Sequence, residues 1–217
     1  MAHVAVVLAG CGFYDGAEIN EAVLTLLALD QQGATYQCFA PDIEQLHVVN
    51  HLTGEVVAGE TRNVLVEAAR IARGKVQDLK EARVEDFDAL LVPGGFGAAK
   101  NLCDFAVKGS AMTLQKDFLQ FAQAMHRAGK PMGLICIAPT MAAQICGAGV
   151  ECTVGNDAET AAAIVAMGGK HVDCPVEKAV VDKRNKLVTT PAYMLANRIG
   201  EAAAGIGECV KNVLAMA

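Results

Sequence analysis

The chain has 217 residues, a formal net charge of −6, 53% hydrophobic residues, 5% aromatics and no Trp. That length suits one well-buried α/β domain over residues 1–217 and is short for two, and the apolar content, carried by Ala, Val, Leu and Ile, excludes a disordered chain. Without a Lys/Arg-rich stripe there is no footprint for nucleic acid, and no run reaches the roughly 20 apolar residues of a membrane-spanning helix.

Residues 3–9, HVAVVLA, are a short apolar run that breaks at GCG, as expected of a central parallel strand. After the loop GCGFYDG, residues 18–32 show helical spacing of apolar residues and close at Gly33. Residues 34–41 read as a second strand, which gives a β-α-β opening with a right-handed crossover. VVNHLTGEVV reads as a small hairpin, residues 61–73 as a helix ended by Gly74, and the polar residues 75–87 as peripheral. FDALLVPGG is a strand running into a tight turn, residues 100–113 a loop or broken helix, and residues 114–128 a helix ended by Gly129. KPMGLI at 130–135 is another central strand, followed by Cys136 and a helix that Pro139 can start. Residues 157–167 read as helical, VVDKRNKLVTTPA as a hairpin, and residues 193–214 as a terminal helix weakened in its middle by Gly205 and Gly207. Strands alternating with helices imply a three-layer α/β/α sandwich with a mostly parallel sheet, flavodoxin-like in class.

The N-terminus MAHVAVVLAG lacks a basic region followed by a cleavable apolar stretch, so it is expected to be the first strand of the mature fold. The 8 cysteines match no small secreted scaffold, and several sit in apolar runs. Reduced thiols in the cytoplasm, or in an organellar matrix, are the expected state. No histidine makes a metal pattern with cysteines or carboxylates, and neither PGGFG nor GCGFYDG has dinucleotide or P-loop spacing. No metal and no cofactor are expected.

Ligands of open parallel sheets sit beyond the carboxyl ends of the strands. GCGFYDG, PGGFG, CIAP and TTPAY should converge there. Cys136 is the candidate nucleophile on that rim, where a helix N-terminus would lower its pKa; packing in the apolar run LICIA is the competing explanation. The amides of Gly95 and Ile137 are placed to hold a developing oxyanion. Glu18 opens the first helix either as a cap or as an acid/base partner across the rim from Cys136. Cys11, Gly94, His51 and Pro191 are expected to line the pocket. His3 is expected to be structural and His126 to lie at the surface.

These landmarks resemble the DJ-1/PfpI superfamily with its class I glutamine amidotransferase-like fold, and within it the bacterial ElbB-type glyoxalases, named for isoprenoid or lycopene biosynthesis, and the mitochondrial ES1 proteins. The resemblance runs through LAGCGFYDGAEINEAVLTLLAL, PDIEQLHVVNHLTGE, TRNVLVEAARIARG, LLVPGGFGAAKNL, CIAPT and VTTPAYMLA. It implies Cys136 as the elbow cysteine, Glu18 as the facing carboxylate, Gly95 and Ile137 as oxyanion-hole amides, a homodimer, a small aldehyde substrate and glyoxalase chemistry. A departure is that Ile137 stands where many members place a histidine, and the last histidine is His171. That weakens protein and glutamine hydrolysis, which need a Cys-His pair, and leaves Glu18, or His51 or Cys11 from neighbouring loops, to assist the thiol. The expected function is glutathione-independent conversion of glyoxal to glycolate through a Cys136 thiohemiacetal. The alternatives are a redox-sensing or regulatory protein without turnover and a scaffold that kept the fold.

Overall fold

A computed structural model describes residues 1–217. In chain order the elements are β1 (His3–Val7), α1 (Ile19–Gln31), β2 (Thr35–Ala40), β3 (Val49–Asn50), β4 (Glu55–Val56), α2 (Val64–Ile71), β5 (Val76–Asp78), β6 (Ala89–Val92), α3 (Phe96–Lys100), α4 (Phe105–Lys108), α5 (Lys116–Arg127), β7 (Met132–Ile135), α6 (Ala142–Cys146), β8 (Glu151–Cys152), α7 (Ala158–Ala166), β9 (Lys170–His171), β10 (Val180–Asp182), β11 (Leu187–Thr190) and α8 (Ile199–Leu214). Seven strands form the central sheet in the order β10-β11-β7-β6-β1-β2-β5. Every pairing in it is parallel except β10 with β11.

The apolar run of β1 explains why it is central. Successive side chains of a strand point to opposite faces. Val4, Val6 and Leu8 therefore enter one core with Ala22 and Leu29 of α1, Ala68 of α2 and Ile206 and Val210 of α8. Ala5, Val7 and Ala9 enter the other with Phe118 and Met125 of α5, Ile145 of α6 and Ile164 of α7. The three-layer sandwich expected from the alternating pattern is thus present. No helix is long and apolar enough to cross a membrane.

Two expectations change. The polar stretch 75–87 is not merely peripheral, because Val76–Asp78 pairs with Cys38–Ala40 and forms the edge of the main sheet. Its three residues are too few to show a period, and one contact face at an edge suffices. Gly205 does not weaken α8, which runs unbroken from Ile199 to Leu214. A Cβ at Gly205 would lie 2.3 Å from the carbonyl oxygen of Val176. Close packing requires the glycine there, and that contact outweighs the cost of glycine in a helix, about 1 kcal/mol. The hairpin at VVNHLTGEVV is the β3–β4 pair, and the short β8–β9 pair lies outside the main sheet. None of the eight cysteines is in a disulfide.

Candidate active site

β7 is buried along its whole length and ends at Ile135. The chain then turns sharply, so that Cys136 has φ 64°. This left-handed conformation costs a non-glycine residue of order 1 kcal/mol or more and is held only where the surroundings impose it. The Cys136 amide donates to the Thr190 carbonyl at 2.9 Å, fixing the turn to the end of β11. A 3-10 turn from Ala138 to Met141 follows, with Pro139 near its start. Facing the elbow is Gly94, where a Cβ would come within 2.5 Å of the Cys136 Cβ and 2.8 Å of a Glu21 carboxylate oxygen. Only glycine lets the two turns approach this closely.

The carboxyl group that meets the thiol belongs to Glu21. It is fully buried and lies beside the Cys136 side chain, both of them packed against Gly94, so that each group shifts the other's titration. The Gly94 amide donates to its Oε2 at 2.9 Å, and the Tyr193 amide donates to its Oε1 at 3.2 Å. Burial pushes this carboxyl up to about 7, helped by the nearby charge of Glu18 and opposed by the amides and the thiol. Burial also pushes the Cys136 thiol well above its ordinary value, and the negative charge of Glu21 adds to that. A helix N-terminus was expected to lower the thiol. The amides of Gly95 and Ile137 do face the sulfur and act in that direction, but burial and the carboxylate outweigh them. The pair therefore titrates as a unit, losing its first proton near pH 7 and holding one above it. With that proton on Glu21, the charge opposing the thiolate disappears while the two amides remain.

Glu18 takes the capping role. Its backbone is extended, and its carboxylate accepts the Glu21 amide at 2.6 Å as N-cap of α1. It also lines the cavity above Cys136, together with Gly95 and Ile137. The cavity holds about 460 Å³ and is walled by Phe13, Phe96, Phe105, Tyr193 and Met194. The sequence therefore brought Cys136, Gly95, Ile137 and Glu18 to one place, and it missed Glu21.

Cys11, Gly94, His51 and Pro191 are not among the residues lining the cavity. Gly94 and Pro191 are buried beneath it. His51 Nε2 accepts the Tyr14 amide at 3.1 Å, and its Nδ1 is 3.1 Å from the Val49 carbonyl oxygen. One ring nitrogen serves the 10–17 loop and the other β3, so both are engaged by groups other than the thiol. Cys11 instead neighbours Glu67 and Arg70, and burial raises its thiol pKa. His3 stacks on Phe87 and its Nδ1 lies 2.8 Å from the Thr35 hydroxyl, a structural role as expected. The half-buried His126 lies in the last turn of α5.

The chain matches no family model. It is 49% identical to human glutamine amidotransferase-like class 1 domain-containing protein 3, mitochondrial, over 98% of this chain and 82% of that protein. The rat ES1 protein homolog, mitochondrial, is 47% identical over 98% of this chain and 83% of its own length. The crystal structure of an isoprenoid biosynthesis protein with amidotransferase-like domain from Ehrlichia chaffeensis superposes with a TM-score of 0.93 at 40% identity, covering 100% of this chain and 99% of that one. Identity at this level over nearly the whole chain places it: the protein belongs to the ElbB/ES1-like family of the DJ-1/PfpI superfamily, with the class I glutamine amidotransferase-like fold.

Proposed function

We propose that the protein is a glutathione-independent, cofactor-free glyoxalase that converts glyoxal and water to glycolate. One observation carries this: a strained elbow thiol packed beside a buried carboxyl of raised pKa, with the backbone amides of Gly95 and Ile137 next to the sulfur. The Cys136 sulfur attacks one aldehyde carbon, and the oxygen takes up a proton to give a thiohemiacetal. Glu21 removes the proton on that carbon and returns one to the neighbouring carbon, leaving a thioester of glycolic acid on Cys136. Water cleaves the thioester, releasing glycolate and the thiol. One carbon is oxidised and the other reduced, so no external oxidant or reductant is needed. The Gly95 and Ile137 amides hold the oxyanion when water adds to the thioester. Glu21 takes over the proton-transfer role first read for Glu18, which sits at the cavity wall as a cap.

The test is glyoxal turnover followed by proton NMR of glycolate. Wild-type protein is expected to form glycolate and Cys136→Ala to form none above background; equal turnover in the variant overturns the mechanism.

The absence of histidine from the cavity lining favours a second reading, a redox-sensing or regulatory thiol. It predicts preferential peroxide modification of Cys136 over the other cysteines, read by mass spectrometry, with no glyoxal turnover. For the homodimer, α1 offers an exposed apolar stripe of Ile19, Val23 and Leu27; sedimentation equilibrium would show a dimer mass, and a monomer at high concentration would refute it. The mitochondrial names of the human and rat relatives support the matrix as the compartment if the source is a eukaryote, and the cytoplasm otherwise.

A further inference from the structure

The Cys136 cavity is much larger than the substrate proposed for it. Glyoxal has the bulk of roughly two water molecules at about 30 Å³ each, against a cavity of about 460 Å³. The spare room has a definite chemistry. Aromatic rings of Phe13, Phe96, Phe105 and Tyr193 form its walls, and three carboxylates, Glu18, Asp157 and Glu159, are its only charged lining groups. None of the three is in an ion pair. Lys100 is not among the lining residues; its ammonium donates to the Tyr14 carbonyl at 2.8 Å and lies 5.4 Å from the centroid of the Phe96 ring. Asp157 accepts the Thr160 amide at 2.8 Å as the cap of α7, which keeps it ionised.

We propose that this cavity selects neutral and cationic carbonyl compounds with an apolar body and turns away those carrying a carboxylate, such as α-keto acids. The proposal rests on Cys136 as the reactive thiol. Carboxylates around an apolar cleft raise the local concentration of cations and lower that of anions. Aromatic faces add cation–π attraction, and their area binds the apolar body. A carboxylate on the substrate would approach Glu18 and Asp157 with no guanidinium or ammonium in the lining to receive it.

Charge selection can be read without turnover, using three methanethiosulfonates that differ only in their tails: neutral methyl, cationic trimethylammonioethyl and anionic sulfonatoethyl. In each case the Cys136 sulfur forms a disulfide with the reagent's thio sulfur, the thiol proton leaves to water, and methanesulfinate departs. Rates at Cys136 are measured by peptide mass spectrometry and divided by the rates of the same reagents with N-acetylcysteinamide. The cationic reagent is expected to exceed the anionic one by about tenfold at low salt. The ratio should shrink as salt shortens the screening length to about 10 Å at 0.1 M. In the Asp157→Asn/Glu159→Gln double variant it should fall toward unity; both positions are exposed, and asparagine preserves the cap.

A normalised ratio near one in the wild type overturns the proposal. So does a ratio that the double variant leaves unchanged, or failure of all three reagents to label Cys136. Glyoxal turnover is scored separately: a thiol that selects by charge but leaves glyoxal untouched retains this inference and removes the glyoxalase one.

Discussion

Two concave regions of the molecule make an instructive pair. The larger, about 770 Å³, lies over the edge of the sheet between α1, α2 and β2, lined by Val23, Leu27, Tyr36 and Cys38. The smaller, about 460 Å³, lies over the elbow. Both contain a largely buried cysteine. Burial alone pushes the Cys38 thiol up to about 12, with no carboxyl partner and no amide aimed at it. The Cys136 thiol meets a carboxyl group and two amides in a strained turn. Volume follows from how helices happen to pack; reactivity follows from which polar groups converge, so the smaller cavity is the one proposed as functional.

Experiments can break or sharpen this contrast. The largest effect is expected from Cys136→Ala, which should take glyoxal turnover to background while Cys38→Ala keeps it; the reverse result would move the site to the groove. Glu21→Gln comes next and should lower kcat/KM by about 10²–10⁴-fold, the usual contribution of a positioned acid/base. In the wild type, activity should rise as pH passes about 7, where the Glu21–Cys136 pair loses its first proton, and this limb should vanish in the variant. The same carboxyl predicts a stability trend. Its folded pKa, about 7, lies above its ordinary 4.5, so the folded chain binds the proton more tightly than the unfolded one. Its contribution is full below pH 4.5 and is lost as pH rises through about 7, on the order of 3 kcal/mol. Urea denaturation across that range should show the decline in the wild type and a flatter profile in Glu21→Gln.

Gly94→Ala should cost about 1–3 kcal/mol in the same assay, the ordinary range for overpacking, and should displace the thiol from Glu21. Its activity loss should therefore exceed what reduced stability accounts for. Glu18→Ala is expected to be milder, about 1 kcal/mol from the lost cap, with the acid/base limb retained. A loss of activity as deep as that of Glu21→Gln would restore Glu18 to the proton-transfer role. The smallest effect belongs to Lys75→Ser on the exposed wall of the large groove, where surface substitutions usually stay within about 0.5 kcal/mol.

The strands at the centre of the sheet were legible in the sequence because β6 and β7 are short, wholly apolar runs, as is β1 after His3, and helical periods separate them. The three-residue β5 was not, since so short an edge strand has no period to read. Cys136 was legible from its position between a buried strand and Pro139. Glu21 was missed although a signal existed. Glu18-Ile19-Asn20-Glu21 has the spacing of a capping box, in which the second glutamate would fold back to the helix start. The box is half built: Glu18 caps, but its own amide goes to the Gly94 carbonyl at 2.9 Å, and Glu21 goes to the Gly94 amide instead. Glu21 also shares the helix face of Thr25 and Leu29, both buried. A carboxylate on the inward stripe of an amphipathic helix needs an explanation beyond capping. The sign of the Cys136 shift was beyond the sequence, because it depends on burial and on a partner 115 positions away in the chain.

Glu21 is bonded at once to the turn after β6, through Gly94, and to the turn after β11, through Tyr193. Asp157 and Glu159, by contrast, project from the exposed start of α7. The floor of the cavity is thus cross-braced, while its mouth hangs on a peripheral helix. A lineage, or a designer, can rewrite the mouth residue by residue and change which molecules enter, while the chemistry below is inherited intact. A changed floor would have to be rebuilt at three chain segments together.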